Sequence, residues 1–316
     1  MDAGGTIAIL GVTSQLAADY FAEAVRAGDH SLRAYARDPA AGRRALQRRG
    51  VDAEVGDLSS FEEGEYSAII NFIGVGDPAR AAAMGTSIFE ITRHWDERVL
   101  GYLDRSPTTR YIFFSSGAVY GDSFDAPVGP DTLATFPINR LGPTNWYALA
   151  KLGAEVLHRT LRDRTIIDVR IFNYVSRTAD MAARFLITDA VRAIRDRVVL
   201  ETSAQTITRD YLDPAGLHRL LSACLAAPGE TNCALDAYTL APITKAALLG
   251  LLSDEFGLRY EQKSTAHTIN ATGLKPCYFS LDRTAAAWGY QPPHSSAQAI
   301  QNEVASMLAG ELGKGR

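Results

Sequence analysis

Ile7-Ala-Ile-Leu-Gly11-Val-Thr13-Ser14-Gln15-Leu16-Ala17 decides how this chain folds. Four apolar residues make a strand-sized run, Gly11 turns the chain, and a helical stretch over 17–27 comes next. The spacing is that of G-x-x-G-x-x-G, with Ser14 and Ala17 in the two later glycine places. Small residues there let a pyrophosphate approach backbone N–H groups at a helix N-terminus. One glycine after a strand is by itself an ordinary turn, so the loop gains meaning from the segments downstream of it.

Those segments alternate. Strands are expected over 7–10, 31–36, 52–55, 68–73, 111–115 and 166–172, and helices over 17–27, 40–49, 88–103 and 146–161. Short β-type runs separated by helices argue for an α/β fold, a Rossmann-type doubly wound parallel sheet. Beyond Asn173 the alternation weakens into mixed helices and short strands, with turns at Ala227-Pro-Gly229 and Gln291-Pro-Pro293. The reading is a dinucleotide-binding domain over 1–172, to which some later segments return. A smaller C-terminal α/β substrate-binding part covers 173–316, with no flexible linker between them.

Composition narrows the classes. The 316 residues can bury a core, and 47% apolar with 22% charged residues is ordinary for a soluble globular protein. A net charge of −4 gives no basic face for nucleic acid. No apolar run reaches the roughly eighteen residues that span a bilayer. Met1-Asp-Ala-Gly carries an acid where a signal peptide carries lysine or arginine, so a cytoplasmic protein is expected. Cys224, Cys233 and Cys277 lack metal-like spacing and read as free thiols. His94, His158 and His218 fall on helix-like segments as surface or packing residues, and no metal is expected.

The strand ends carry the cofactor argument. An NAD site usually places an acid at the end of the second strand, for the adenine ribose. Here that strand ends Tyr35-Ala36-Arg37-Asp38, and Arg37 can pair with a 2′-phosphate. NADP(H) is therefore favoured and NAD(H) possible, the bland alternative being an exposed arginine. Asp57-Leu58 is placed to meet the adenine amino group, although Asp57 can equally cap a helix. Asn71-Phe72-Ile73-Gly74 should pass beneath the nicotinamide side. The cofactor candidates are thus Gly11, Thr13, Ser14, Gln15, Leu16, Arg37, Asp57, Leu58, Phe72, Ile73 and Gly74, joined by Tyr147 and Lys151.

Tyr147-Ala-Leu-Ala-Lys151 sets a phenol and an ammonium four residues apart, on one face of a helix. Upstream, Tyr111-Ile-Phe-Phe-Ser-Ser-Gly-Ala-Val-Tyr-Gly121 is an apolar strand ending in two hydroxyls. A proton donor, a cation and a positioning hydroxyl are the parts that moving a hydride onto or off a carbon–oxygen bond requires.

With these segments in place the chain resembles the extended short-chain dehydrogenase/reductases, the branch acting on nucleotide sugars. The likeness covers nearly the whole length. It rests on the Gly11 loop, Asp57, Ser115–Gly121, Tyr147 with Lys151, Arg170-Ile-Phe-Asn173 and Arg209-Asp-Tyr-Leu-Asp213. It implies Tyr147 as acid/base. It also implies that Lys151 holds the nicotinamide ribose and lowers the phenol from near 10 by roughly one to three units. In this family the catalytic hydroxyl lies four residues before the Val-Tyr-Gly tyrosine, which selects Ser116 over Ser115.

The resemblance further implies that Asn173 and Arg209 contact the diphosphate of the substrate, a nucleotide-diphosphate sugar. Arg209 can instead form an ion pair with Asp210 or Asp213. Lys275, in Gly273-Leu-Lys-Pro276, stands where many relatives carry an arginine for the same diphosphate. Arg184 and Phe185 can contact the nucleotide or simply pack. Asp282 and Trp288-Gly-Tyr-Gln-Pro292 resemble a structural ending. A homodimer through the helices over 88–103 and 146–161 is expected by the same resemblance.

Four reactions share this scaffold. Dehydration and decarboxylation both need an acid after the serine, and Gly117-Ala118 supply none. A 4-epimerase and a ketoreductase remain. Arg37 tilts the reading toward an NADPH-dependent reduction of a sugar keto group, with the epimerase as alternative. A non-catalytic NADP(H) sensor stands third, against the complete Ser116/Tyr147/Lys151 set.

Overall fold

The computed structural model describes residues 5–29, 31–74, 84–122, 124–263 and 275–312, so the acidic N-terminal tetrapeptide lies outside the described residues. The first part runs β1 (Ile7–Leu10), α1 (Gln15–Arg26), β2 (Leu32–Ala36), α2 (Pro39–Gln47), β3 (Val55–Asp57), β4 (Ala68–Asn71), α3 (Ser87–Arg105), β5 (Arg110–Ser116), α4 (Pro143–Thr160) and β6 (Ile166–Ile171). The second runs β7 (Asn173–Tyr174), α5 (Leu186–Asp196), β8 (Val199–Ser203), β9 (Thr208–Arg209), β10 (Tyr211–Leu212), α6 (Pro214–Ala226) and β11 (Asn232–Asp236). It ends with β12 (Ile243–Thr244), α7 (Lys245–Phe256), β13 (Arg259–Lys263), β14 (Cys277–Tyr278) and α8 (Ser296–Leu312).

Seven strands form one parallel sheet in the order β11-β6-β5-β4-β1-β2-β3. The order reverses between β1 and β4, and that switch point is where a doubly wound sheet binds its ligand. Both faces of the sheet are buried, which explains the unbroken apolar runs. Ile7, Ile9, Ile70, Ile112 and Phe114 face a core shared with α1 and α6. Ala8, Leu10, Ile69, Tyr111 and Phe113 face the other way, toward α3 and α4.

Helix starts reflect local chemistry. Ser14 accepts from the Ala17 amide to cap α1, and Asp38, ahead of Pro39, accepts from Ala41 to cap α2. Asp213, ahead of Pro214, caps α6 in the same way. The third strand lies at Val55–Asp57, beyond its expected place at 52–55. Gly56 explains the slip: a Cβ there would come within 2.6 Å of the Tyr35 ring, so only glycine lets β3 pair with β2 at this point.

The second part has its own core, built by Val175, Ile187, Val191, Leu249, Leu252, Ile300 and Val304. It is stitched back into the first, because β11 lies parallel to β6 with Asn232 opposite Ile166 and Asp236 opposite Arg170. Among the described residues no helix is long and apolar enough to cross a membrane.

Candidate active site at the carboxyl edge of the sheet

The loop after β1 is built for close approach. Gly11 has φ +83°, and a Cβ on it would lie 3.1 Å from Ile73 Cγ1 and 3.3 Å from Ile73 N. Left-handed backbone and crowding both demand glycine. Ser14 is a cap with extended backbone, so the later two glycine places need no glycine here. Thr13 is exposed and Gln15 and Leu16 half-buried, leaving the first turn of α1 at the surface.

Arg37 is exposed directly after the buried Ala36, and no hydrogen bond or ion pair engages it among the described residues. Asp57 accepts from the Ser59 hydroxyl at 2.6 Å and the Ser59 amide at 2.7 Å, which holds its carboxyl below the usual range. It is thus a cap for the turn over Leu58–Glu63, and still an exposed one. Leu58 and Phe72 differ from expectation. Leu58 sits in the core beside α3, and Phe72 stacks on Phe114 with ring centroids 3.9 Å apart, so only their backbone can meet a ligand. Gly74 is exposed, and a Cβ on it would lie 3.2 Å from Lys151 Nζ. A glycine loop with no room for a side chain, the first turn of α1 at the surface, and an unengaged Arg37 and exposed Asp57 at successive strand ends fit a dinucleotide.

β5 separates its two serines by strand alternation. Ser115 turns toward α4 and donates to Glu155 at 2.5 Å, where Arg170 also binds at 2.6 Å. Ser116 points to the site, its Oγ accepting from the Ala118 amide at 3.1 Å. Lys151 is buried and donates to the carbonyls of Phe114 at 2.7 Å and Ile73 at 3.4 Å, with its ammonium 4.2 Å from the Phe113 ring centre. Burial lowers its pKa to about 8, against the pull of Asp96, Asp168 and Glu155.

Tyr147 is half-buried, and burial pushes its phenol up to about 12 while Ser116 draws it down. The expected acidification by Lys151 is not how the pair stands. The ammonium is turned to the strand-end carbonyls of Phe114 and Ile73, and burial sets the direction of the phenol's shift.

The second part supplies the far wall. Arg209 Nη1 donates to the carbonyls of Lys275 at 2.5 Å and Thr208 at 3.0 Å, while its Nη2 is buried with no partner. Neither neighbouring acid pairs with it. Asp210 accepts from the Thr239 amide at 2.9 Å and Ser296 at 2.8 Å, and Asp213 caps α6 and meets His294 at 2.6 Å. Lys275 lies over the Phe124 and Tyr278 rings, 4.7 and 4.9 Å from their centres, and burial lowers it to about 8.

Asn173 departs from its expected role. Both protons of its amide are used, toward the carbonyls of Asp210 at 3.1 Å and Tyr278 at 3.3 Å, so it has no donor left for a phosphate. Arg184 pairs with Asp189 at 3.1 Å, and Phe185 stands at the start of α5.

Sequence reasoning missed Tyr278. This buried phenol packs on Phe172 at 5.1 Å and Phe124 at 4.8 Å. Phe172 in turn fills the space beside Gly117, immediately after Ser116. The Ser116 hydroxyl acts on Tyr278 as it does on Tyr147, so two phenols converge on one serine. No local pattern around Pro276-Cys-Tyr278 signals this.

A doubly wound sheet with a glycine turn at its switch point, and Ser, Tyr and Lys beside it, defines a nicotinamide-dinucleotide enzyme. The chain belongs to the NAD dependent epimerase/dehydratase family, whose model matches residues 7–233. No curated protein matches the chain. Its fold is similar to that of the UDP-glucose 4-epimerase of Bifidobacterium longum, solved with NAD+ and UDP. That match has a TM-score of 0.74 and 17% identity, over 97% of this chain and 99% of that one. The Brucella ovis UDP-glucose 4-epimerase with NAD gives a TM-score of 0.76 and 17% identity over 96% and 98%. The Thermotoga maritima UDP-glucose 4-epimerase with UDP-glucose gives 0.77 and 14% over 97% and 99%.

Proposed function

We propose that this enzyme inverts C4 of a nucleotide-diphosphate sugar while retaining its nicotinamide cofactor. The observation that carries the reading is the position of Tyr278. On one side its ring packs 5.1 Å from Phe172, which fills the space beside Gly117 next to Ser116, and on the other it lies under Lys275 and 5.7 Å from the Arg209 guanidinium. A ligand lying along it has a diphosphate at one end and a reacting carbon–oxygen bond at the other. Gly117 and Ala118 after Ser116 leave no acid and base for removing water. The similar structures, themselves 4-epimerases, support the same reaction and reverse the sequence-based preference for a reductase.

The bound dinucleotide would supply hydride acceptance and return. Tyr147, protonated at rest, takes up or gives the proton at the sugar oxygen. Ser116 donates a hydrogen bond to that oxygen, a contribution of about 3 kcal/mol. Lys151 keeps a positive charge between the ends of β4 and β5, where Gly74 leaves its ammonium open to a ribose. Arg209 Nη2 and Lys275 take the diphosphate. α3 and α4 pack on each other and leave Phe89, Val156 and Leu157 exposed, which supports a homodimer through these helices.

The second reading is a ketoreductase that consumes NADPH, favoured by the unengaged Arg37. The test is mass spectrometry of small molecules released from purified protein, with incubation in UDP-glucose and no added cofactor. Retained dinucleotide and interconversion of the sugars support the epimerase. Loss of NADPH in step with an added keto sugar supports the reductase, and failure to bind either ligand ends both.

A further inference from the structure

Five polar side chains lie buried in a line behind Lys151. Asn71, Asp96, Tyr111, His158 and Asp168 are each at most 2% exposed. His158 joins Asp168 through Nδ1 at 2.7 Å and Asp96 through Nε2 at 2.9 Å. Tyr111 donates to the same Asp96 oxygen at 2.8 Å, and Asn71 Nδ2 donates to the Tyr111 oxygen at 2.9 Å. The other end of Asn71 accepts from the Ile73 amide at 2.9 Å.

The direction of this chain is fixed at Asp96. A carboxylate only accepts, so Tyr111 must donate to it, and the Tyr111 oxygen is then free to accept only from an N–H. That turns the Asn71 amide so that its carbonyl oxygen faces Ile73 N. The Ile73 carbonyl is one of the two that receive Lys151. An arrangement this expensive to bury calls for a purpose beyond packing, since apolar residues of similar volume are often no less stable.

We propose that Asp96 and Tyr111 are positioning residues for Lys151, acting through Asn71 to hold the turn whose carbonyl receives its ammonium. The inference rests on the role of Lys151 in the proposed function. The charged groups facing Lys151 are Asp96 from α3, Asp168 from β6 and Glu155 from its own helix. Those facing His158 are Asp96 and Asp168, with Arg159 on the far oxygen of Asp168 at 2.8 Å. Tyr111 and Asn71 are uncharged, so cutting the chain at either removes no charge from the cluster, and Glu155 stays held by Arg170.

The test is a ¹³Cε titration of the lysines, of which the chain has five, in Tyr111→Phe and Asn71→Ala. Tyr102→Phe is the control, a buried phenol on α3 bonded to Tyr66 N and Gly64 O outside the chain. Losing the Ile73 acceptor disfavours the charged amine, so the Lys151 midpoint should fall by about half a unit to one unit in both variants. It should stay in place in the control. Turnover should fall several-fold with KM for the nucleotide sugar unchanged. A Lys151 midpoint that does not move in either variant, or moves equally in Tyr102→Phe, overturns the proposal. The titration needs no substrate, so a shifted midpoint in a protein inactive on every nucleotide sugar would count only against the proposed reaction.

Discussion

Arg209 donates to the backbone carbonyl of Lys275 at 2.5 Å, which sets two buried cations side by side, and among the described residues no carboxylate forms an ion pair with Arg209. Buried charges are normally paired, and an orphaned guanidinium nitrogen is costly unless an anion arrives. Arg209→Met should weaken UDP binding about tenfold to a hundredfold, the worth of one charge-assisted hydrogen bond. Calorimetric affinity within twofold of the parent would remove Arg209 from the diphosphate site.

With Lys275 at the proposed diphosphate site, this affinity should depend on pH. Burial depresses its pKa to about 8, so the ammonium is charged below that value and lost as pH rises through it. The dissociation constant for UDP should therefore climb between pH 7 and 9. In Lys275→Arg the climb should vanish, because a guanidinium does not titrate there. An equal climb in both proteins would place the titrating group elsewhere.

Tyr147→Phe should lower turnover by about 10²- to 10⁴-fold, the usual worth of a positioned acid/base, with UDP affinity nearly intact. Its half-buried ring stays, and only the hydroxyl with its transferable proton is lost. Near-normal turnover would refute the assignment.

His158, in the buried cluster behind Lys151, ties stability to pH in the opposite sense to a depressed carboxylate. Burial alone would lower its pKa, but hydrogen bonds to Asp168 and Asp96 overcome that and raise it to about 9, from 6.5 when free. The stabilisation is fully present below 6.5 and disappears as pH rises through 9, on the order of 3 kcal/mol. Melting temperature should fall across that window in the parent. In His158→Gln the fall should be flatter, from a lower starting point. Parallel curves would contradict a protonated imidazole at this site.

Much of this architecture is legible in the sequence because it rests on periodicity. The parallel strands are short unbroken apolar runs, and Gly11 ends the first of them at a turn only glycine can make. The choice of Ser116 over Ser115 comes from the family resemblance alone, and the strand alternation that sends the two side chains apart is a feature of the fold. What escapes is contact between distant segments. Asn173 spends its amide on carbonyls of β14 and the β9–β10 turn, and Tyr278 arrives at Ser116 from the far end of the chain. Nor does Asn232-Cys-Ala-Leu-Asp236 look like a sheet strand, being short and polar at both ends. Its register opposite β6 is set by tertiary packing.

That late strand has a consequence for biogenesis. Until β11 emerges from the ribosome, β6 waits with a raw flank of amides and carbonyls, the kind of template on which nascent chains stick to one another. A translation product stopped after β6 would therefore clump rather than persist as a half-sized binder of dinucleotide, and chaperone demand should peak before β11 is synthesised.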